Sequence, residues 1–175
     1  MEGYKNLTTY IFATVIHDLT VIFCRRFIDR KSRTYDQMEQ AARSGKQNIA
    51  EGYSFQSLES YIKLLGVSFG SLKELAIDYE DFLRQRQLTI WPKLDSRIRG
   101  FRDFRAVWAS PNLPNTPNLP NDPATAANML LTFCQMETYL LNNQIASLKR
   151  KFASEGGFRE NLFKKRAEFI RKRRL

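Results

Sequence analysis

Leu58-Glu-Ser-Tyr61-Ile-Lys-Leu-Leu65-Gly-Val-Ser68-Phe-Gly-Ser-Leu72-Lys-Glu-Leu75-Ala-Ile-Asp-Tyr79-Glu-Asp-Phe82 decides the fold. The numbered positions follow one another by alternating steps of three and four, so on a helix of 3.6 residues per turn they share one face. A stripe this narrow and this long is a coiled-coil-like seam, the pattern of helices packed side by side in a bundle. Gly66 and Gly70 interrupt the helix at a cost of about 1 kcal/mol each in propensity. Close backbone packing at both is the expected compensation.

Upstream, Tyr35, Met38, Ala42, Gly45 and Ile49 form a second stripe with Ser32 as a candidate N-cap and Gly52 as a candidate stop. The first stripe runs Leu7, Ile11, Val15, Leu19, Ile22, Phe23, Phe27. Downstream of Gln87, Trp91-Pro92 marks a turn, and Asp95 to Trp108 has the makings of a short basic helix. Residues 111–123 then repeat Pro-Asn-x four times and hold five of the six prolines, which favours an extended, solvated connector. A last long stripe (Leu130, Phe133, Glu137, Leu140, Gln144, Leu148, Phe152) starts at Asp122 or Pro123 and ends at Gly156-Gly157. These patterns predict an all-α chain: an antiparallel up-down four-helix bundle over 1–157 with an extended linker at 109–123, followed by a basic C-terminal extension at 158–175.

Composition narrows the function. With 175 residues and a hydrophobic share of 43%, the chain is long enough for one cored domain without disulfide staples. No apolar run is long enough to span a membrane, and the first residues lack the layout of a secretory signal. Cys24 and Cys134 stand far apart in apolar surroundings and read as reduced, buried thiols of a cytoplasmic protein. The single histidine, His17, precludes a zinc site with two histidine ligands. It lies seven residues from Cys24, about two helical turns, too far for a thiol–imidazole pair. Glu74, Asp78 and Asp81 share a helix face, yet no Glu-x-x-His accompanies them, so they read as solvated or salt-bridged acids rather than a metal centre. Nucleotide-loop, hydrolase and metalloprotease signatures are absent. Neither a cofactor nor a catalytic residue is expected, and the protein reads as non-enzymatic.

The charge is concentrated. Of the net +10, the stretch 159–175 carries +6: Arg159, Lys164, Lys165, Arg166, Arg171, Lys172, Arg173 and Arg174 against Glu160 and Glu168. Interleaved Leu162, Phe163, Phe169 and Ile170 make it a basic amphipathic segment, a pattern that serves nucleic acid, an anionic surface or an acidic partner. Phosphate-backbone binding by counterion release is the leading reading, with no role at a membrane. A second cluster surrounds the first inter-helix turn: Arg25, Arg26, Arg30, Lys31 and Arg33, with Arg43 and Lys46 further on. Tyr53 and Phe55 are the only evident candidates for base stacking.

Two strings have a specific likeness. Arg43-Ser-Gly-Lys-Gln-Asn-Ile-Ala-Glu-Gly52, with Asn48, Glu51 and Gly52, and Gly70-Ser-Leu-Lys-Glu-Leu75 resemble the four-helix-bundle proteins first noticed as open reading frames in 23S rRNA intervening sequences. The resemblance spans roughly 7–153, and Glu155-Gly-Gly-Phe-Arg-Glu-Asn-Leu162 looks like the suffix of a subgroup. It implies a bundle assembling into a ring-like homopentamer with a basic surface. It also implies kinship with the accessory variability determinant of diversity-generating retroelements, which binds a reverse transcriptase and nucleic acid. The Pro-Asn connector and the basic tail lie outside that pattern. Read physically, Gln47 and Asn48 require partners within the helix layer, one of them across helices, while Glu51 is placed to pair with a cation. The expected function is a nucleic-acid-binding scaffold or accessory subunit; the alternative is an adaptor ring that holds another protein and no nucleic acid.

Overall fold

A computed structural model of the chain describes residues 3–55, 57–103 and 118–173. Among them every regular element is helical: a short 3-10 turn at Gly3–Asn6, then α1 (Thr8–Phe27), α2 (Arg33–Ser54), α3 (Leu58–Gln85), α4 (Ser96–Asp103), α5 (Pro123–Glu155) and α6 (Phe158–Lys172). The helix starts follow capping chemistry. Ser32 Oγ accepts from Thr34 N at 3.2 Å, and Asp122 Oδ2 accepts from Thr125 N at 2.8 Å ahead of the proline that opens α5. Gly156 ends α5 with φ 78°, a left-handed turn that glycine adopts without strain.

Helix α2 packs on α1 and α3, and α5 packs on α1 and α3. One core runs between them, with Ile16, Leu19, Phe23, Met38, Ile49, Leu65, Leu72, Leu75, Tyr79, Leu130 and Phe133 sealed from solvent. The stripe residues of α2 and the Leu65-to-Phe82 series of α3 are buried as their spacing predicts. Phe23, Tyr79 and Phe82 meet edge to face at 4.8–5.1 Å. The Tyr79 hydroxyl finds its partner in Thr20 Oγ1 at 2.9 Å, and that hydroxyl donates to the Ile16 carbonyl at 2.6 Å. A fully buried phenol is thereby satisfied.

Three local expectations are corrected. Gly52 does not stop α2, which continues to Ser54; it lies buried beneath the Tyr61 ring, where an added Cβ would come within 2.7 Å of Cδ2. Gly45 makes the other close approach: a Cβ there would sit 2.9 Å from the Leu72 side chain, and its carbonyl accepts from Ser68 Oγ at 2.6 Å. Gly66 and Gly70, by contrast, have nothing among the described residues within 4 Å of an added Cβ. The connector is not wholly solvated either. Residues 109–117 lie outside the described residues, but Leu119 is 3% exposed. Its carbonyl accepts from Arg26 Nη1 at 3.0 Å, which ties the approach to α5 onto the end of α1.

Candidate nucleic-acid interface

The basic C-terminal segment is a continuous helix, α6, in which no residue is buried. Gly157 precedes it, its N–H donating to Glu160 Oε2 at 3.1 Å. Arg159, Lys164, Lys165, Arg166, Arg171, Lys172 and Arg173 are all exposed, and Arg174 lies outside the described residues. So are the apolar members: Phe163 is 74% and Phe169 62% exposed. The Arg173 guanidinium lies 5.7 Å from the Phe169 ring centroid.

The second predicted cluster is divided by the structure. Arg25, Arg30, Lys31, Arg33 and Arg43 are exposed at the α1–α2 turn and along α2. Arg26 is engaged with the Leu119 carbonyl and with Asn121 Oδ1 at 3.3 Å. Lys46 is half-buried in the α1–α2 seam, its ammonium 3.2 Å from His17 Nδ1. Burial, and then the Lys46 charge, hold the His17 pKa below its ordinary value against the opposing pull of Asp18. A neutral ring that accepts from Lys46 fits that shift.

Of the motif residues, Gly52 packs against the next helix. Among the described residues Asn48 makes no bond across helices, contrary to expectation for the Gln47–Asn48 pair: its Nδ2 donates to the Ser44 carbonyl at 2.8 Å and to Ser44 Oγ at 3.0 Å, and Gln47 is exposed. Ser44 makes the crossing instead, 2.9 Å from Ser71 Oγ on α3. Glu51 is exposed and enters no ion pair among the described residues. Tyr53 lies within α2 and meets Tyr61 edge to face at 6.0 Å; Phe55 is 55% exposed just beyond it.

Among the described residues no group of acids, cysteines or histidine is arranged to hold a metal ion. Asp81 pairs with Arg84 of its own helix at 2.8 Å. Asp78, read as solvated or salt-bridged, is half-buried and enters no ion pair among the described residues; burial and the charges of Asp81 and Glu74 raise its pKa. Cys24 and Cys134 are free and fully buried, and desolvation lifts the Cys24 thiol to about 12. Glu137 was read as a member of the α5 stripe, and the structure does place it in the core. Both its carboxyl oxygens are sealed with no hydrogen-bond partner among the described residues, and burial pushes its pKa far up.

Sequence spacing marked a turn at Trp91-Pro92 and a short helix from Asp95, of which the structure describes Ser96–Asp103, but gave no sign that this segment docks on α5. Trp91 N donates to Asn128 Oδ1 at 2.8 Å, and Asn128 Nδ2 donates to the Thr89 carbonyl at 3.0 Å. Arg97 lies 3.7 Å over the Trp91 ring, Asp95 holds Arg97 at 2.7 Å, and Ile98 is 4% exposed. Hydrogen bonds from Arg97 keep the Asp95 carboxyl at about 2. The segment is thus clamped onto α5. The sequence signal for that docking is an asparagine within an apolar stretch of α5, where an unpaired amide would be costly.

Comparison of the chain with family models, with curated proteins and with solved structures gave no match. Among the described residues no helix is long and apolar enough to cross a membrane.

Proposed function

We propose that this protein is a non-enzymatic, self-assembling nucleic-acid-binding scaffold of the 23S rRNA intervening-sequence kind, an accessory subunit to an RNA-handling enzyme such as a reverse transcriptase. The underlying fold in this reading is an antiparallel up-down four-helix bundle of α1, α2, α3 and α5. Contacts between opposite helix ends support it: Thr9 Oγ1 donates to Gln144 Oε1 at 2.9 Å, Gln144 Nε2 donates to Tyr61 OH at 2.7 Å, and Arg26 reaches the start of α5.

The observation that carries the reading is α6, a helix with six exposed cations against two acids and no buried side chain, followed directly by the exposed Arg173. A helix that buries nothing gains no stability from the core. Its cations are free to displace counterions from a phosphate backbone, which makes binding salt-dependent and largely indifferent to sequence. Arg25, Arg30, Lys31 and Arg33 at the α1–α2 turn, near the start of α5, and Arg43 on α2 form a second positive patch, separate from α6, in this reading.

Fluorescence anisotropy with labelled RNA and DNA over a salt series tests it. The wild type is compared with a full-length variant carrying Lys164→Gln, Lys165→Gln, Arg166→Gln and Arg171→Gln. The expected result is a steep fall in affinity with salt, and a log–log slope shallower by about three in the variant on single strands. Absence of binding by the wild type at low salt overturns the reading. The exposed Phe163 and Phe169 rings then favour the adaptor, with α6 docking onto an acidic protein.

A further inference from the structure

The structure gathers a third set of cations from three separate stretches of chain. Lys73 from the outer face of α3, Lys93 from the clamped segment and Arg102 from the last turn of α4 stand around an open groove of about 570 Å³. Gln135, Met136 and Tyr139 of α5 form its floor. No carboxylate is among the described residues lining it, and none of the three cations enters an ion pair among the described residues. Tyr139 is 63% exposed in the middle of a long helix.

The Asn128 bonds and the Arg97–Trp91 contact hold the wall of this groove against α5, so the placement of Lys93 and Arg102 is built into the fold. A smaller cavity of about 80 Å³, also lined by Lys93 and Gln135, continues the groove beneath the clamped segment. Cations alone would suit any anion. An open phenol ring among them adds a flat apolar face, which a nucleobase matches and a carboxylate side chain does not.

We propose that this groove binds a short single strand of nucleic acid, with its phosphates held by Lys73, Lys93 and Arg102 and one base stacked on Tyr139. The inference rests on the nucleic-acid reading above and adds a preference to it. Helix α6 attracts any phosphate backbone, whereas the groove favours single strands, because a duplex keeps its base faces stacked on one another.

The test uses the full-length protein and three probes: a labelled oligouridine of about fifteen nucleotides, a duplex of equal length, and polyglutamate as competitor. Circular dichroism confirms the helix content of each variant. Tyr139→Ala is expected to weaken oligouridine binding by about 5- to 100-fold and to leave duplex binding unchanged, with Tyr139→Phe retaining wild-type affinity. The triple variant Lys73→Gln, Lys93→Gln, Arg102→Gln is expected to flatten the single-strand salt slope by about two. Wild-type affinity in both groove variants, alongside weakened binding in the α6 variant, overturns the groove and leaves the α6 reading standing. No binding by the wild type overturns both. Polyglutamate that competes as well as oligouridine, irrespective of Tyr139, assigns the groove to an acidic protein partner and overturns the proposal.

Discussion

Gly45 and Gly52 on α2 and Gly66 and Gly70 on α3 are alike in sequence: each pair sits inside a long amphipathic helix at spacings that return to one side of it. Their surroundings are opposite. A Cβ at Gly45 or Gly52 would press into Leu72 or Tyr61, while one at Gly66 or Gly70 would meet nothing among the described residues. The first pair lets two helices approach and leaves the Gly45 carbonyl open to Ser68. The second carries the propensity cost of glycine with no packing in return among the described residues. A glycine in a helix therefore acquires meaning only from what stands opposite it.

The most damaging way to probe that contrast is at the α2–α3 seam. Leu72→Ala is expected to lower stability by about 2–5 kcal/mol, and Gly45→Ala by about 1–3 kcal/mol through overpacking. The double variant should cost less than the sum, because the methyl enters the space the leucine vacates. Chemical denaturation measures all three; strict additivity would show that Gly45 and Leu72 do not compete for the same space.

Glu137 poses the same question of fit from α5, with an unpartnered carboxyl in place of a missing Cβ. Glu137→Leu is expected to raise stability by about 1–3 kcal/mol at neutral pH, by removing an unsatisfied buried group. The pH dependence has a definite sign. A carboxyl whose pKa is raised on folding contributes fully below the unfolded value, about 4.3, and that contribution is lost as pH rises towards the folded value. Wild-type stability should therefore gain from this residue as pH falls from 7 towards 4.3, and the leucine variant should lack that gain. Denaturation midpoints of the two proteins between these limits check it; identical pH profiles would contradict the burial of an unpaired carboxyl.

The mildest change sharpens the contrast most. Gly66→Ala and Gly70→Ala should each raise the stability of the monomeric chain by about 0.5–1 kcal/mol, since alanine fits the open face and stiffens the helix. A loss of stability, growing with protein concentration, would instead place a second copy against that face.

The helices were legible in the sequence wherever burial obeys a period. The α2 stripe, the Leu65-to-Phe82 series and the Ser32 and Asp122 caps are each decided by neighbours within one or two turns. What depends on distant partners was not. Gly52 has the composition of a stop signal, and only Tyr61 from the next helix reveals it as a contact point. Arg26 and Lys46 have the composition of free cations, yet one ties down the approach to α5 and the other faces His17. Lys73, Lys93, Arg102 and Tyr139 belong to different segments and share no spacing; the fold alone makes them neighbours.

Cys24 and Cys134 sit on different helices, α1 and α5, both sealed within the same core. A thiol reagent in solution therefore reaches either sulfur only when that core opens, and the two rates of modification become a clock for unfolding. Equal rates at the two sites would mark one cooperative opening. A faster rate at one would identify the helix that leaves first, without any label having been introduced.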